Sequence, residues 1–314
     1  MKKQTLVISL LLCQSFVASA NQQEPPTSSY NGLNVSGVYS YNNFKFDSTN
    51  GNGFNRYKGH MNFYSVGGNN VKLNDYFSAG IFVYWIDTNF HSQFLLPSFS
   101  FTKTNQSITN NSLYGHVLGR VNSSFFIDVA GGYGRNTGRS ETTVAFPTTA
   151  VLSANAHTSG NTWFVSAAGL YAKQWNKFIL NANVGVLHTE VKQNPYNFNF
   201  YGLNASQFVE RLRVNATFIL ENAELGYQVT PMIQPFVNAG LLQVANFGNS
   251  RNISPVGFIG PVPALDLDMN GYKAGGGVSL SYKQYNLRVE QQYFQRGGSY
   301  SSNQTTVTLR ASFA

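Results

Sequence analysis

The sequence predicts an all-β protein, a twelve-stranded antiparallel transmembrane β-barrel. Three observations lead there: short and long connections alternate along the chain, charged residues are scarce beside abundant aromatics, and many segments alternate apolar with polar residues at a period of two. Short connections are expected at Asn74-Asp75, Asn122-Ser123-Ser124, Trp175-Asn176-Lys177, Thr230-Pro231-Met232 and Gln284-Tyr285-Asn286. Long ones are expected over roughly 48–55, 91–109, 136–159, 191–207 and 248–268, with a shorter one near 297–302. Tight turns at one end, longer loops at the other and an even strand count are the pattern of outer-membrane barrels.

The first element is an address rather than a part of the fold. Lys2-Lys3, the apolar run from Leu6 to Leu12 and Ala18-Ser19-Ala20 make a cleavable export signal over residues 1–20. The apolar run is far short of the ~20 residues a membrane-spanning helix needs. Cys13, the one cysteine, lies inside this segment behind Leu12, where a lipoprotein signal would need a small residue. The mature chain then carries no thiol for disulfides, cysteine catalysis or zinc. Residues 21–31, with Pro25-Pro26 and Ser28-Ser29, form a short periplasmic segment, and 32–314 form the barrel.

Charged residues are 11% of the chain, against about 25% in typical soluble domains, and aromatics reach 15%. No run after residue 20 is apolar and long enough for a membrane helix. The formal charge is +8, and loss of Lys2 and Lys3 with the signal leaves +6. The positive residues are scattered, which argues against nucleic acid and for anionic lipid or anionic solutes.

The later strands show their faces most clearly. Thr305, Val307, Leu309, Ala311 and Phe313 alternate with Thr306, Thr308, Arg310 and Ser312, so the first row is assigned to lipid and the second to the lumen. Phe178, Leu180, Ala182, Val184 and Val186 form a second lipid row, and Tyr272, Ala274, Gly276, Val278, Leu280 and Tyr282 a third. The segment around Ile81–Ile86 is apolar on both faces. The parity of the eighth strand slips near Glu221-Asn222-Ala223, which suggests a bulge or a simple overrun of the strand. Gly275-Gly276-Gly277 lacks the strand–loop–helix context of a phosphate loop and reads as relief of crowding.

On the Gly-rich aromatic hairpins (Tyr64-Ser65-Val66-Gly67-Gly68, then Leu73 to Ile81), the strand count and the closing aromatic strand, the chain resembles the translocator barrel of autotransporters from about Gly32 to Ala314. The resemblance implies that Val307, Leu309 and Phe313 act as the signal read by the barrel-insertion machinery. Two departures stand out: Ala314 follows the closing aromatic, and residues 21–31 leave no room for a passenger or a lumen helix. A barrel without a passenger is therefore expected.

Arg211, Arg213, Arg288, Glu290 and Arg310 are assigned to the lumen, with Glu221 or Glu224 joining them. They offer a basic constriction for anions or an internal Arg–Glu network that stiffens the barrel, and the network is favoured because neighbouring opposite charges pair first. A hydrolase reading looks to His60, His91, His116, His157 and His188, with His60 and His116 assigned to the lumen. In His157-Thr158-Ser159 adjacent residues point to opposite faces, so a nucleophile and its base would not meet. Asp266 and Asp268 are a lone acidic pair without calcium-loop spacing. The apolar segments 94–101 and 255–263 offer an adhesive surface, a fold over the barrel mouth, or strands extended beyond the membrane.

The expected protein is thus a non-enzymatic integral outer-membrane barrel with both termini periplasmic. It needs no cofactor or metal and is a small or plugged pore for anionic solutes, with surface recognition through the loops as the alternative and a hydrolase as the third. Its expected partners are outer-membrane lipid, the barrel-insertion machinery and periplasmic chaperones, without nucleic acid, and it is expected to be a monomer.

Overall fold

The computed structural model describes residues 33–50, 53–95, 101–145, 151–201, 205–249 and 270–313, and every regular element in them is a strand. In chain order these are β1 (Leu33–Asn50), β2 (Gly53–Lys72), β3 (Phe77–Leu95), β4 (Phe101–Arg120), β5 (Phe125–Ala145), β6 (Val151–Trp175), β7 (Phe178–Gln193), β8 (Tyr196–Phe200), β9 (Ala205–Val209), β10 (Leu212–Tyr227), β11 (Ile233–Asn249), β12 (Gly271–Tyr282), β13 (Tyr285–Arg296) and β14 (Tyr300–Phe313). Of the fourteen, β8 and β9 form a hairpin that pairs with β6 at Ala154↔Phe200, outside the ring. The remaining twelve follow one another antiparallel around a closed barrel, with β7 beside β10. The ring closes where β1 pairs with β14, from Leu33↔Phe313 to Phe46↔Tyr300.

Alternation sets the two faces of this wall. Phe44, Met61, Tyr84, Ile86, Phe90, Ile108 and Tyr300 pack together from five strands, which only inward-pointing side chains can do. A second interior cluster gathers Phe164, Leu187, Val214, Ala216, Phe218 and Leu242, and Tyr114, Phe247 and Phe294 touch both. Between these positions lie the outward rows, among them Ile81 at 59% exposure, Val184 at 59% and Val237 at 62%. Apolar residues so exposed on every strand of a closed ring make a lipid-facing belt. The three rows expected from β7, β12 and β14 lie on this face, as do Ile81, Val83 and Trp85, while Phe82, Tyr84 and Ile86 point inward.

Aromatic girdles bound the belt. At the turn end Phe178 lies 6.2 Å from Trp175 and 5.1 Å from Tyr227, centroid to centroid. At the other edge Tyr64 sits 5.2 Å from Tyr39 and stacks on Trp85 at 5.4 Å. Tyrosine and tryptophan suit these levels because an apolar ring and a polar tip satisfy both sides of an interface.

The loop end differs from expectation. The spans 91–109 and 136–159 are mostly strand, with β3 and β4 paired as far as Leu95↔Phe101 and β5 and β6 as far as Ala145↔Val151. These runs are rich in Asn, Ser and Thr and read as loops, yet the buried Thr102, Thr104 and Thr142 sit on one inward face, where β-branched residues fit the pleat. The span 191–207 holds the β8–β9 hairpin, whose Tyr196, Phe198 and Phe200 pack on Val144, Ala154 and Ala156. Burial pushes the Tyr196 hydroxyl upward in pKa. The segment 255–263, residues 96–100, Asp266, Asp268 and residues 1–32 lie outside the described residues.

At the turn end the connections are short, with small shifts. The last hairpin turns on Lys283-Gln284 rather than Gln284–Asn286, and Lys283 takes φ 53° in the left-handed region. Asn176, which begins the β6–β7 turn, takes the same φ of 53°. In the first turn Lys72 hydrogen-bonds Asp75 and holds its carboxyl below the usual carboxylate range. The expected bulge lies at Thr217/Phe218, opposite Val244 to Asn246, instead of at Glu221–Ala223.

Glycines on the inner row of β12 allow bulky neighbours in. A Cβ on Gly277 would collide with the Val289 carbonyl and the Phe236 ring, whereas one on the lipid-facing Gly131 would meet nothing closer than 3.6 Å. Gly277→Ala is therefore expected to cut the yield of folded barrel several-fold, and Gly131→Ala to leave it unchanged, as read by heat-modifiable mobility on gels.

Candidate functional site

The inner faces of β10 to β13 carry the densest polar constellation among the described residues. Arg288 donates from Nη1 and Nη2 to the two carboxylate oxygens of Glu224 across the wall, at 3.1 and 2.5 Å. The same guanidinium reaches Glu290 Oε2 at 3.1 Å and stacks 3.6 Å from the centre of the Phe236 ring. Glu290 accepts in turn from Asn238 at 2.6 Å and Gln292 at 2.5 Å, and Lys273 is buried beside them. Two acids and two bases thus share a space from which water is largely excluded: Arg288 is 8% exposed and Glu290 4%.

Local sequence explains how they fit. Arg288, Glu290 and Gln292 alternate along β13 and so face one side. Opposite them the wall is thinned by Gly240, Gly275 and Gly277, where a Cβ would strike Lys273, Gln292 and Phe236 respectively. The planar fork of Arg288 matches one carboxylate bidentately, an arrangement a lysine could not reproduce.

A second buried group lies toward the turn end. His116 Nδ1 is 2.8 Å from Asp128 Oδ1, and its Nε2 is 3.0 Å from Asn69 Oδ1, an oxygen that also accepts the Asn70 backbone N–H at 2.7 Å. Both ring nitrogens thus lie within hydrogen-bond reach of a side-chain oxygen. His116 lies against a carboxylate and an amide; a hydrolytic site would set its base against a hydroxyl. Among the described residues no group of three or more His, Cys, Asp and Glu side chains is placed to hold a metal ion.

The expected site residues separate into three places. Arg288 and Glu290 meet in the interior, with Glu224 rather than Glu221. Arg310 is on the inward row of β14, paired in register with Ser36 and Asn286 near the turn end. Arg211 and Arg213 are corrections: Arg211 is exposed in the link between β9 and β10, and Arg213 faces outward, its side chain 56% exposed. The cause is that the inner row of β10 here is Leu212, Val214, Ala216 and Phe218, all within the interior core. His60 likewise shares the outward row with Lys58 and Asn62, because Tyr57, Gly59, Met61 and Phe63 point in. Val307, Leu309 and Phe313 lie on the lipid row, with Leu309 at 54% and Phe313 at 50% exposure. Sequence reasoning missed Lys273, Asn238, Gln292, Asp128 and Asn69 as members of clusters. Their inward parity was readable, but the cross-strand register that assembles them was not.

A family model, the autotransporter beta-domain, matches residues 33–293. The chain belongs to this family. Autotransporter β-domains are outer-membrane barrels, so this one is an outer-membrane protein. Its fold is similar to the translocator domain of autotransporter NalP from Neisseria meningitidis, with TM-score 0.68 and 14% identity over 98% of this chain and 97% of that one. It is also similar to the transport unit of autotransporter AIDA-I from Escherichia coli, with TM-score 0.59 and 9% identity over 96% and 97% of the two chains. The barrel is similar as well to the CymD monoaromatic hydrocarbon channel, with TM-score 0.52 and 9% identity over 94% and 91%. No curated protein matches it in sequence.

In this autotransporter β-domain, breaking the interior cluster on one side leaves a buried cation with half its partners. Glu224→Ala is expected to cost roughly 3–5 kcal/mol, measured as a lowered urea midpoint of the refolded barrel in detergent. A matched Glu224→Leu, Arg288→Met double variant should recover most of that loss.

Proposed function

We propose that the protein is a surface-recognition barrel, held with its turn end and both termini in the periplasm and its loop end outside the cell. The observation that carries this reading is the height of the wall. Strands β2 to β6 run 20, 19, 20, 21 and 25 residues, whereas about 9–11 tilted residues cross a bilayer. Roughly half of each therefore stands clear of lipid as one paired sheet, and the β8–β9 hairpin is fastened to it by the apolar contacts of Tyr196, Phe198 and Phe200. A stiff ledge of this kind suits binding because little order has to be imposed on contact. The orientation follows the usual barrel arrangement of short periplasmic turns and longer outer loops. Val307, Leu309 and Phe313 would be read by the barrel-insertion machinery after periplasmic chaperones deliver the chain.

A small or plugged pore for anionic solutes is the second reading. It is favoured by Arg288 and Lys273 lying together on the inner wall, and it is weakened by Glu224 and Glu290, which match their charge.

Replacing residues 196–209 by a short Gly-Ser link is expected to abolish attachment of expressing bacteria to cell surfaces while the barrel still folds. Unchanged attachment would overturn the recognition reading. Planar-bilayer recording of the refolded protein is expected to be silent. A steady anion-selective conductance whose selectivity falls in an Arg288→Ser, Arg310→Ser variant would favour the pore instead.

A further inference from the structure

We propose that the outer face of β5, β6, β7 and β10 carries a binding site for the phosphorylated headgroup of an outer-leaflet glycolipid, built by Arg135, Lys192 and Arg213 around the carboxylate of Glu190. The site rests on the proposed orientation, which puts the loop end and its lipid edge outside the cell.

Register assembles the site. Arg135 pairs with Asn161, Asn161 with Lys192, and Lys192 with Arg213, so the four residues form one outward row across four adjacent strands. At about 4.8 Å per strand, the row spans about 14 Å and presents three cations. One acid lies beneath them. Glu190 accepts from Lys192 Nζ at 2.9 Å, from Arg213 Nε at 2.5 Å and from the Trp163 indole N–H at 3.1 Å. Its side chain is 1% exposed while those of Lys192 and Arg213 are 47% and 56% exposed. The carboxylate is thus spent on holding two cations that remain open to the surroundings, and Arg135 makes no ion pair among the described residues. Three positive groups against one negative leave a net surplus of two.

The rows below this one change character in the order a lipid does. Tyr133, Trp163, Glu190 and Asn215 lie next, then Val165, His188 and Thr217, with His188 Nδ1 2.9 Å from Thr217 Oγ1 and its ring 5.3 Å from Trp163. Deeper still are Val129 and Val186, 53% and 48% exposed. At the level of the Val165–His188 row, Gly131 of β5 pairs with Gly115 of β4 on the outer face, where an added Cβ would meet nothing within 3.4 Å. The missing side chains leave a shallow hollow in the apolar belt rather than relieving a clash. Phosphates at the cations, sugar hydroxyls and ester carbonyls at the Trp163–His188 level, and acyl chains over the valines and the hollow use each row according to its chemistry. A glycolipid fits better than a single-phosphate lipid because the cations are spread over about 14 Å, wider than one phosphate.

The test is native mass spectrometry of the folded barrel in detergent, titrated with bis-phosphorylated lipid A and with the same lipid after removal of its phosphates. Wild type is expected to retain the phosphorylated lipid roughly tenfold better, since basic residues near a headgroup each contribute measurably. Arg135→Gln with Lys192→Gln and Arg213→Gln should erase that preference. Arg135→Gln alone, which disturbs no ion pair, should reduce it about threefold, so a folding defect in the triple variant cannot hide the answer. Lys45→Gln with Lys58→Gln, on β1 and β2, should change nothing. Equal retention of the two lipids, or a preference untouched by the triple variant, overturns the site. Orientation is read separately by labelling Asn176→Cys in intact cells with a membrane-impermeant maleimide, so a failed orientation and a failed site give different results.

Discussion

A sheet that must sit in hydrocarbon cannot have an edge. With no water to hydrogen-bond free N–H and C=O groups, the ladder must close on itself, and the β1–β14 pairing does this from Leu33↔Phe313 to Phe46↔Tyr300. Closure brings the two ends of the described chain side by side, although the rest of the ring lies between them in sequence. It also commits each residue of a barrel strand to one of two environments. A one-residue slip at the closing seam would send Ser302, Gln304 and Thr306 into lipid and Leu309 inward, so the register is held by the whole belt rather than by any single bond. The tight turns at one end keep that register, which is why Asn176 and Lys283 accept a left-handed backbone.

Once the ring is closed, the interior has to be filled by whatever the inward rows supply. Two polar clamps and an aromatic layer share it. On one side Arg288, Glu224, Glu290 and Lys273 link β10, β12 and β13, and on the other His116, Asp128 and Asn69 link β4, β5 and β2. Such pairs contribute little net stability, because desolvating the charges offsets most of their attraction, yet breaking one costs several kcal/mol. Their consequence is therefore specificity: a slipped register would part Arg288 from Glu224 on β10 and leave it only Glu290 of its own strand. The glycines at 240, 275 and 277 belong to the same device, since without their empty inner faces the cluster would not fit.

How much of this was legible depended on height along the strand. In β12 and β14 the alternation is clean, and the rows from Tyr272 and from Thr305 were assigned to the faces they occupy. In the upper part of β10 the rule that polar means inward reverses. There the outside is water or headgroup and the inside is packed with Leu212, Val214 and Ala216, so Arg213 points away from the lumen. The same reversal turned His60 outward. The loops misled for a related reason: above the belt both faces of a strand can be polar, and a run such as Thr102 to Asn111 loses the contrast that marks a strand while keeping its hydrogen-bonded ladder. The members of each cluster were visible one by one, but which strands bring them together is a matter of register, and register is set by the closed ring.

That height dependence also gives meaning to Glu190. Its three donors, Lys192, Arg213 and Trp163, come from β7, β10 and β6, so it ties three strands together at the level where the belt ends. The strands at that level are already paired to one another and need no further tie. What the acid does change is the freedom of the two cations, which would otherwise sample many rotamers in solvent. Holding them open and in register lowers the entropy lost when an anion arrives, and that makes a site out of what composition alone would describe as scattered positive charge.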